Sequence, residues 1–306
     1  MAVASKIPPK LEEMIGEVER ITWQSEDGTY CIGKLTNKLG IKGNPPSSGL
    51  TPGLAYRFSG KWIEDERWGR QFDFKFAVEH VPANRTGVVE YLKRYAPGVG
   101  QSVANQLCDE YGAADAIAAL KRDPIAASRA VRGLSVEKAR AAAESLIAAE
   151  KFQETRIRLL ALIANKGFGE KAIDTCISLW GVSAPDVVAR DPFKMMVAEV
   201  FGAGFMRCDR LWHEFGLPLD RMRRQVMAAW DYLRTDMSGS TWHEKTAVID
   251  NVKKLITGNS RPERSVAIAI RAGVLMQCER EGKLWLAERE KADDEAMVLR
   301  KIGELL

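Results

Sequence analysis

The sequence has few of the residues that build metal centres and disulfide frameworks. Its 306 residues include only five cysteines and three histidines. The cysteines form no Cys-x-x-Cys pair, and their odd number argues against a disulfide framework. The histidines are scattered, so no metal site is predicted, and no cofactor is expected. A reduced, cytoplasmic protein fits this pattern best.

Long apolar runs are also missing. No stretch approaches the ~18 residues that span a bilayer, and residues 1–10 lack the apolar core of a secretory signal. Hydrophobic residues make up 46% of the chain and charged residues 28%, which is typical of globular proteins. The length favours two or three domains over one.

Neither a strong net charge nor an ATP-binding loop is present. The net charge is only +4, too small to indicate nucleic acid by itself, although the C-terminal third is somewhat more basic than the rest. The phosphate-binding loop of ATPases requires Gly-Lys followed by Ser or Thr. The pairs that begin at Gly33, Gly60 and Gly282 are followed by Leu, Trp and Leu. We therefore predict that this chain is not an enzyme by itself.

The first 84 residues are predicted to form a small β-barrel. Strands are expected at 16–23, 30–32, 56–62 and 70–78, with a hairpin turn at 26–28 and a Gly-, Pro- and Ser-rich loop over 39–53. Phe72, Phe74 and Phe76 alternate onto one face, which predicts that they belong to the core. Several short strands separated by turns favour a barrel.

The helical middle of the chain contains an internal repeat of glycine turns. Gly98 recurs as Gly167 and Gly133 recurs as Gly202, each after 69 residues. This gives two pairs of turns, over 85–153 and 154–218. The four turns are Gly98-Val99-Gly100, Gly133-Leu134-Ser135, Gly167-Phe168-Gly169 and Gly202-Ala203-Gly204. Short amphipathic helices flank each turn, which is the helix-hairpin-helix pattern.

Such turns suit the phosphate groups of DNA. The two glycines are expected to adopt positive φ and to leave room for close approach, while the amides and dipole of the next helix attract an anion. Contacts to the backbone of DNA carry no sequence information. The Gly133 turn departs from the pattern, because Ser135 replaces its second glycine, and is predicted to be structural only. The candidate DNA contacts are Gly98, Val99, Gly100, Gln101, Ser102, Lys166, Gly167, Phe168, Gly169, Lys171, Gly202, Ala203, Gly204 and Arg207, together with Trp68 and Arg70 on the barrel.

The segment 219–290 has the element order of a winged helix. Helices are expected over 221–235, 247–257 and 261–280, followed by a turn at Glu281-Gly282 and a strand over 283–287. Three arginines at the start of the first helix are interpreted as a solvated face: Arg221, Arg223 and Arg224. Residues 291–306 are predicted to be a linker or docking helix. The predicted fold class is therefore multidomain α+β.

Together these motifs resemble a known family. The matching residues are Gly60-Lys61-Trp62, Trp68-Gly69-Arg70-Gln71-Phe72, Gly98-Val99-Gly100, Asp191-Pro192-Phe193, Phe201-Gly202-Ala203-Gly204-Phe205, Gly239-Ser240-Thr241-Trp242 and Leu284-Trp285-Leu286. Their order resembles the N-terminal region of long-form RecD-like DNA helicases of superfamily 1. The resemblance implies an OB-type barrel, tandem helix-hairpin-helix pairs and a winged-helix-like connector. It also implies a role in DNA repair or recombination, with DNA and a helicase motor domain or subunit as partners.

Three functional interpretations stay open from the sequence. The first is sequence-independent DNA binding as part of a RecD-like helicase, to single strands, duplexes or junctions. The second is a junction-binding scaffold like the RuvA family, which the second hairpin pair and the winged-helix segment do not fit. The third is a protein-interaction adaptor. Trp68 and Arg70 form either a base-stacking and phosphate-binding site or an ordinary hairpin with a half-buried ring.

Overall fold

The computed structural model describes residues 11–82, 84–236, 238–256, 258 and 260–305. The chain divides into two compact units, the first ending at Asp186 and the second beginning at Val187. This division falls inside the segment 154–218 that the repeat assigns to the second hairpin pair. The predictions made for residues 1–10, Thr257 and Leu306 lie outside the described residues. Among the described helices, none has the length and apolar character to cross a membrane.

The N-terminal strands form a closed five-stranded barrel, as predicted. The strands are β1 (Glu12–Gln24), β2 (Cys31–Leu35), β3 (Gly40–Gly43), β4 (Ala55–Asp65) and β5 (Gly69–His80). They pair in the order β1-β2-β3-β5-β4, and β4 pairs with β1 to close the barrel. All pairings are antiparallel except that between β3 and β5. Phe72, Phe74 and Phe76 are fully buried, which confirms that they belong to the core.

Strand β3 corrects the prediction of one long loop over 39–53. It is only four residues long and lies among glycines and prolines, so its sequence carries no strand pattern. Gly43 has a φ of +152°, and a Cβ there would lie 1.8 Å from the Phe74 carbonyl oxygen. The missing side chain thus allows β3 to lie directly against β5 and to close the barrel.

Helices continue the chain after the barrel, most of them short and one 28 residues long. They are α1 (Arg85–Tyr95), α2 (Gln101–Tyr111), α3 (Ala116–Arg122), α4 (Pro124–Ala130), α5 (Val136–Ile163), α6 (Glu170–Trp180), α7 (Ala184–Arg190), α8 (Phe193–Val197) and α9 (Phe205–Glu214). The barrel and the first hairpin pair share one hydrophobic core, in which Phe74, Leu92, Leu107 and Leu146 are all buried. The first hairpin pair is therefore held against the barrel.

The C-terminal segment has the order helix, strand, helix, helix and hairpin. Its elements are α10 (Met222–Thr235), β6 (His243–Glu244), α11 (Lys245–Leu255), α12 (Pro262–Arg271), β7 (Leu275–Arg280), β8 (Lys283–Glu288) and α13 (Arg289–Leu305). The strands form an antiparallel sheet in the order β6-β8-β7. This element order agrees with the winged-helix-like segment expected from the sequence.

The prediction of a helix over 261–280 is wrong in its second half. Helix α12 ends at Arg271, and Gly273 adopts a φ of +72° shortly after it. A left-handed glycine at this position is a common helix terminator. Residues 275–280 then pair with β8 as a strand.

Candidate nucleic-acid interface

The four glycine turns share one backbone conformation. The first glycine of each turn has a positive φ of 78°, 89°, 89° and 79°, in chain order at Gly98, Gly133, Gly167 and Gly202. Only glycine adopts this region without strain. The residue that follows is at most 5% exposed in every turn, and these buried residues are Val99, Leu134, Phe168 and Ala203.

Burial of the central residues corrects part of the predicted site. Val99, Phe168 and Ala203 were expected among the DNA contacts, but their side chains point into the protein. The amides of Val99 and Ala203 donate to the carbonyls of residues three positions earlier, at 3.0 and 2.9 Å. These residues anchor the turns, and the surface left for a ligand is formed by their neighbours.

The second glycines behave differently from the first. Gly100, Gly169 and Gly204 have φ values of −87°, −107° and −83°, so the expected positive φ at these positions is wrong. Each is the N-cap of the next helix, and a Cβ there would meet no atom within 4 Å. None supplies a side-chain hydrogen bond to its helix. These glycines therefore leave the first amides of the helix accessible and the space before them open.

Ser135 occupies the same position in the Gly133 turn, with φ −66° and ψ 158°. Its hydroxyl oxygen accepts a hydrogen bond from the Lys138 amide at 3.3 Å. A serine N-cap thus takes an amide that a phosphate would otherwise approach. This geometry supports the expectation that the Gly133 turn has a structural role.

The two turns of the first pair lie side by side with approximate twofold symmetry. A Cβ on Gly98 would lie 3.1 Å from Lys138 Cγ, and a Cβ on Gly133 would lie 3.9 Å from Val103 Cγ2. Val103 and Lys138 are each the fifth residue after the first glycine of their own turn. The exposed Lys138 side chain consequently adds a cation beside the Gly98 turn. The sequence prediction missed this residue because it belongs to the other hairpin.

The Gly167 turn begins helix α6 with an acidic residue. Glu170 forms a buried ion pair with Arg156 of α5, which also contacts Asp174 at 2.5 Å. Burial raises the pKa of Glu170 to about 7, with Arg156 opposing the rise. The exposed Lys171 follows, and Lys166 precedes the turn. A carboxyl group at the helix start weakens the field that a phosphate would meet there.

Apolar side chains surround the Gly202 turn. Phe201 and Met206 are 65% and 68% exposed. The Arg207 guanidinium turns back to donate to the Gly202 carbonyl at 3.0 Å. Arg207, a predicted DNA contact, thus already donates a hydrogen bond to the backbone of its own turn.

One of the three arginines near the start of α10 contradicts the prediction of a solvated face, whereas Arg221 and Arg223 are exposed. Arg224 is buried and binds Asp209 of α9 through two hydrogen bonds of 2.5 and 2.9 Å. Arg223 forms an ion pair with Asp191 at 3.1 Å. The bidentate Arg224–Asp209 pair joins α9 to α10 and has a structural role.

A second candidate site lies on the barrel, where an open groove of about 520 Å³ faces β2 and β3. Its lining residues are Arg20, Thr22, Ile32, Gly33, Lys34, Gly40, Lys42, Asp65, Trp68 and Gln71. Three cations and one carboxylate leave the groove positive. Trp68, which is 65% exposed, lies at its edge. Arg70 instead stacks on the Trp62 ring at 4.1 Å and is not among the lining residues.

The turn that carries Trp68 is held in place by Asp65. One Asp65 carboxylate oxygen accepts from the amides of Arg67 and Trp68 at 3.0 and 3.1 Å. These bonds, first that from Arg67, lower the pKa of Asp65. The Arg67 guanidinium lies over the Trp68 ring at 5.2 Å. Of the groove residues, the sequence prediction named only Trp68, although Arg20 and Thr22 have the spacing of neighbours on one strand face.

Comparisons with known proteins match two segments of the chain. Residues 11–82 match the family of the OB-fold domain of ATP-dependent DNA helicase YrrC. Residues 153–242 match the HHH domain of ATP-dependent RecD2 DNA helicase. The chain is also similar to the ATP-dependent RecD2 DNA helicase of Deinococcus radiodurans, with 26% identity over 237 residues. That alignment covers 74% of this chain and 32% of the helicase.

The chain therefore spans about a third of the length of the curated relative that it matches. The matched families are an OB-fold and an HHH domain, and neither is a motor domain. Their order along the chain agrees with the barrel, the helical repeat and the turns described above. By fold and by sequence, this chain resembles the N-terminal region of the RecD-like DNA helicases.

Proposed function

We propose that the chain binds DNA without sequence preference, as the DNA-engaging region or accessory subunit of a RecD-like helicase. The Gly98 turn is its principal phosphate site. The observation that carries this proposal is the uncapped start of α2, where Gly100 supplies neither a side-chain cap nor a Cβ. Exposed Gln101 and Ser102 follow it, and Lys138 provides a nearby positive charge.

Backbone amides at a helix start form a suitable site for an anion, and the helix dipole adds to their attraction. The Gly167 and Gly202 turns have the same backbone but poorer surroundings, namely Glu170 in one case and exposed apolar side chains in the other. The Gly98 turn is thus expected to make the largest contribution. Contact through phosphates explains why no base preference is expected.

The barrel groove is proposed to bind an unpaired strand. Its three cations suit the phosphate backbone, and the exposed Trp68 ring offers a stacking surface to a base. We also propose that this chain works with a motor domain or subunit, because the similar protein is an ATP-dependent DNA helicase.

A matched pair of variants tests the hairpin mechanism. Gly100→Val should weaken binding to duplex DNA by roughly tenfold or more, because the new side chain covers amides whose hydrogen bonds to a charged group are worth about 1.5–3 kcal/mol. It should fold normally, since the backbone at Gly100 is extended and open. Ser135→Val places the same side chain at the equivalent position of the capped turn.

The Ser135→Val control should show the opposite pattern of stability and DNA affinity. Ser135→Val loses a helix cap and should reduce the free energy of unfolding by about 1 kcal/mol, while DNA affinity is retained. Fluorescence anisotropy and thermal melting measure the two quantities. If Gly100→Val melts and binds like the parent, the hairpins are structural and the adaptor interpretation becomes the better one.

A further inference from the structure

Helix α12 presents a basic face that the hairpins and the barrel groove do not explain. Its buried side is formed by Pro262, Ser265, Val266 and Ala269. Arg264, Ala267 and Arg271 are exposed. With 3.6 residues per turn, these three side chains fall within roughly 60° of one another, opposite the buried side. The helix therefore carries two arginines, separated by a small residue, on its most exposed face.

Several other charged residues around this face have partners other than these two arginines. Glu263 of α12 pairs with Lys253 of α11 at 3.5 Å. In the adjoining hairpin, Lys283 pairs with Glu244 at 2.5 Å and Arg280 lies over the Trp242 ring. Within the described part of the chain, neither Arg264 nor Arg271 forms an ion pair. Their positive charges are thus available to a ligand.

The shape of the face indicates the class of ligand. The two arginines are seven positions apart, which places their Cα atoms about 10 Å apart along the helix axis. Ala267 between them lets a surface approach the helix closely. None of the exposed large hydrophobic residues lies on α12. Protein interfaces usually depend on buried aromatic or apolar anchors, so this face suits a polyanion better than a protein.

We propose that the exposed face of α12 binds duplex DNA, with the helix lying at the major groove and Arg264 and Arg271 contacting the phosphates that flank it. The major groove is about 12 Å wide and admits an α-helix. This site adds a duplex-specific contact to the phosphate contacts of the hairpins and the single-strand groove of the barrel. A chain with both kinds of site would engage the boundary between duplex and single-stranded DNA.

The double variant Arg264→Ala/Arg271→Ala in the full chain tests this proposal. Its affinity for a 20-base-pair duplex should fall by roughly tenfold or more, while its affinity for a single strand of the same length stays within twofold of the parent. Arg264→Lys/Arg271→Lys should recover part of the duplex affinity. The control is Lys254→Ala, which removes an exposed charge from neighbouring α11 without disturbing the ion pairs of α12 and should leave duplex affinity nearly unchanged.

Three results would overturn the proposal. These are unchanged duplex binding by the alanine variant, an equal loss for single and double strands, and an equal loss in the α11 control. Because both arginines are exposed, the variants should melt like the parent. The Gly100→Val variant separates this proposal from the hairpin mechanism. If the α12 variant binds duplex DNA normally while Gly100→Val binds it weakly, only the α12 site is rejected.

Discussion

Individual residues of the glycine turns have separate physical roles. The first glycine adopts positive φ, the central residue is buried as an anchor, and the third residue occupies the N-cap position of the next helix. The repeated spacing made the turns predictable from the sequence. The division of roles was not predictable, because two glycines of one turn look alike in sequence although only the first has a left-handed conformation.

This division predicts different outcomes for neighbouring glycines. Gly98→Ala should reduce the free energy of unfolding by roughly 1–2 kcal/mol, because alanine is strained at positive φ, and its Cβ would crowd Lys138. Gly100→Ala should cost less, at most about 0.5–1 kcal/mol, because its extended backbone accepts alanine and only the N-cap preference for glycine is lost. Chemical denaturation measures both values. Equal destabilisation by the two variants would contradict the assigned conformations.

Trp68 and Trp23 offer a similar comparison on the barrel. Both are largely exposed, at 65% and 53%, but only Trp68 lines the groove. Trp68→Ala should weaken binding to single-stranded DNA by about 1–3 kcal/mol, the value of one stacked base. Trp23→Ala should bind the same oligonucleotide normally. An equal effect of both substitutions would indicate that the groove is not the binding site.

Among the elements, the junction of α5 and α6 has an unusual titrating group. Glu170 is buried beside Arg156, and its pKa is raised from 4.5 to about 7. The folded chain thus binds this proton more tightly than the unfolded chain does. Stability should consequently decrease as the pH rises from about 4.5 to about 7.

The variant Glu170→Gln isolates this contribution. Thermal melting of the parent and the variant between about pH 5 and pH 8 should show a stability loss on the order of 1–3 kcal/mol in the parent that the variant lacks. The direction is fixed by burial, which favours the neutral acid. A parent that becomes more stable over this range, relative to Glu170→Gln, would show that Arg156 lowers the pKa of Glu170 below its ordinary value.

Elements with a clear periodic pattern were predicted well, and those defined by tertiary contacts were not. The phenylalanine strand β5 was found from alternation, and the helical character of the middle of the chain and the helices over 221–235 and 247–257 were found from periodicity. Strand β3 was missed, since its pairing with β5 depends on a glycine close to Phe74 rather than on its own residues. The strand β7 was assigned to α12 because an apolar run after Gly273 fits either structure until its partner strand is known.

At the scale of the whole molecule, both compact units carry parts of the proposed DNA-binding surface. The first holds the barrel groove and the Gly98 turn, and the second holds the Gly202 turn and α12. The order of domains was predicted from the sequence, because each has its own signature. The groove was predicted only through Trp68, since its cations come from strands that the barrel brings together.

Sequence-neutral DNA binding through phosphates is the central claim, and its salt dependence is the most direct test. Duplexes of two unrelated sequences should be titrated with the full chain at about 50 and 200 mM monovalent salt. Release of counterions from about three phosphates predicts an affinity loss of roughly 40-fold between these conditions. The two sequences should show equal affinities at each salt concentration. An affinity that does not change with salt, or a strong preference for one sequence, would contradict phosphate-based binding by this chain.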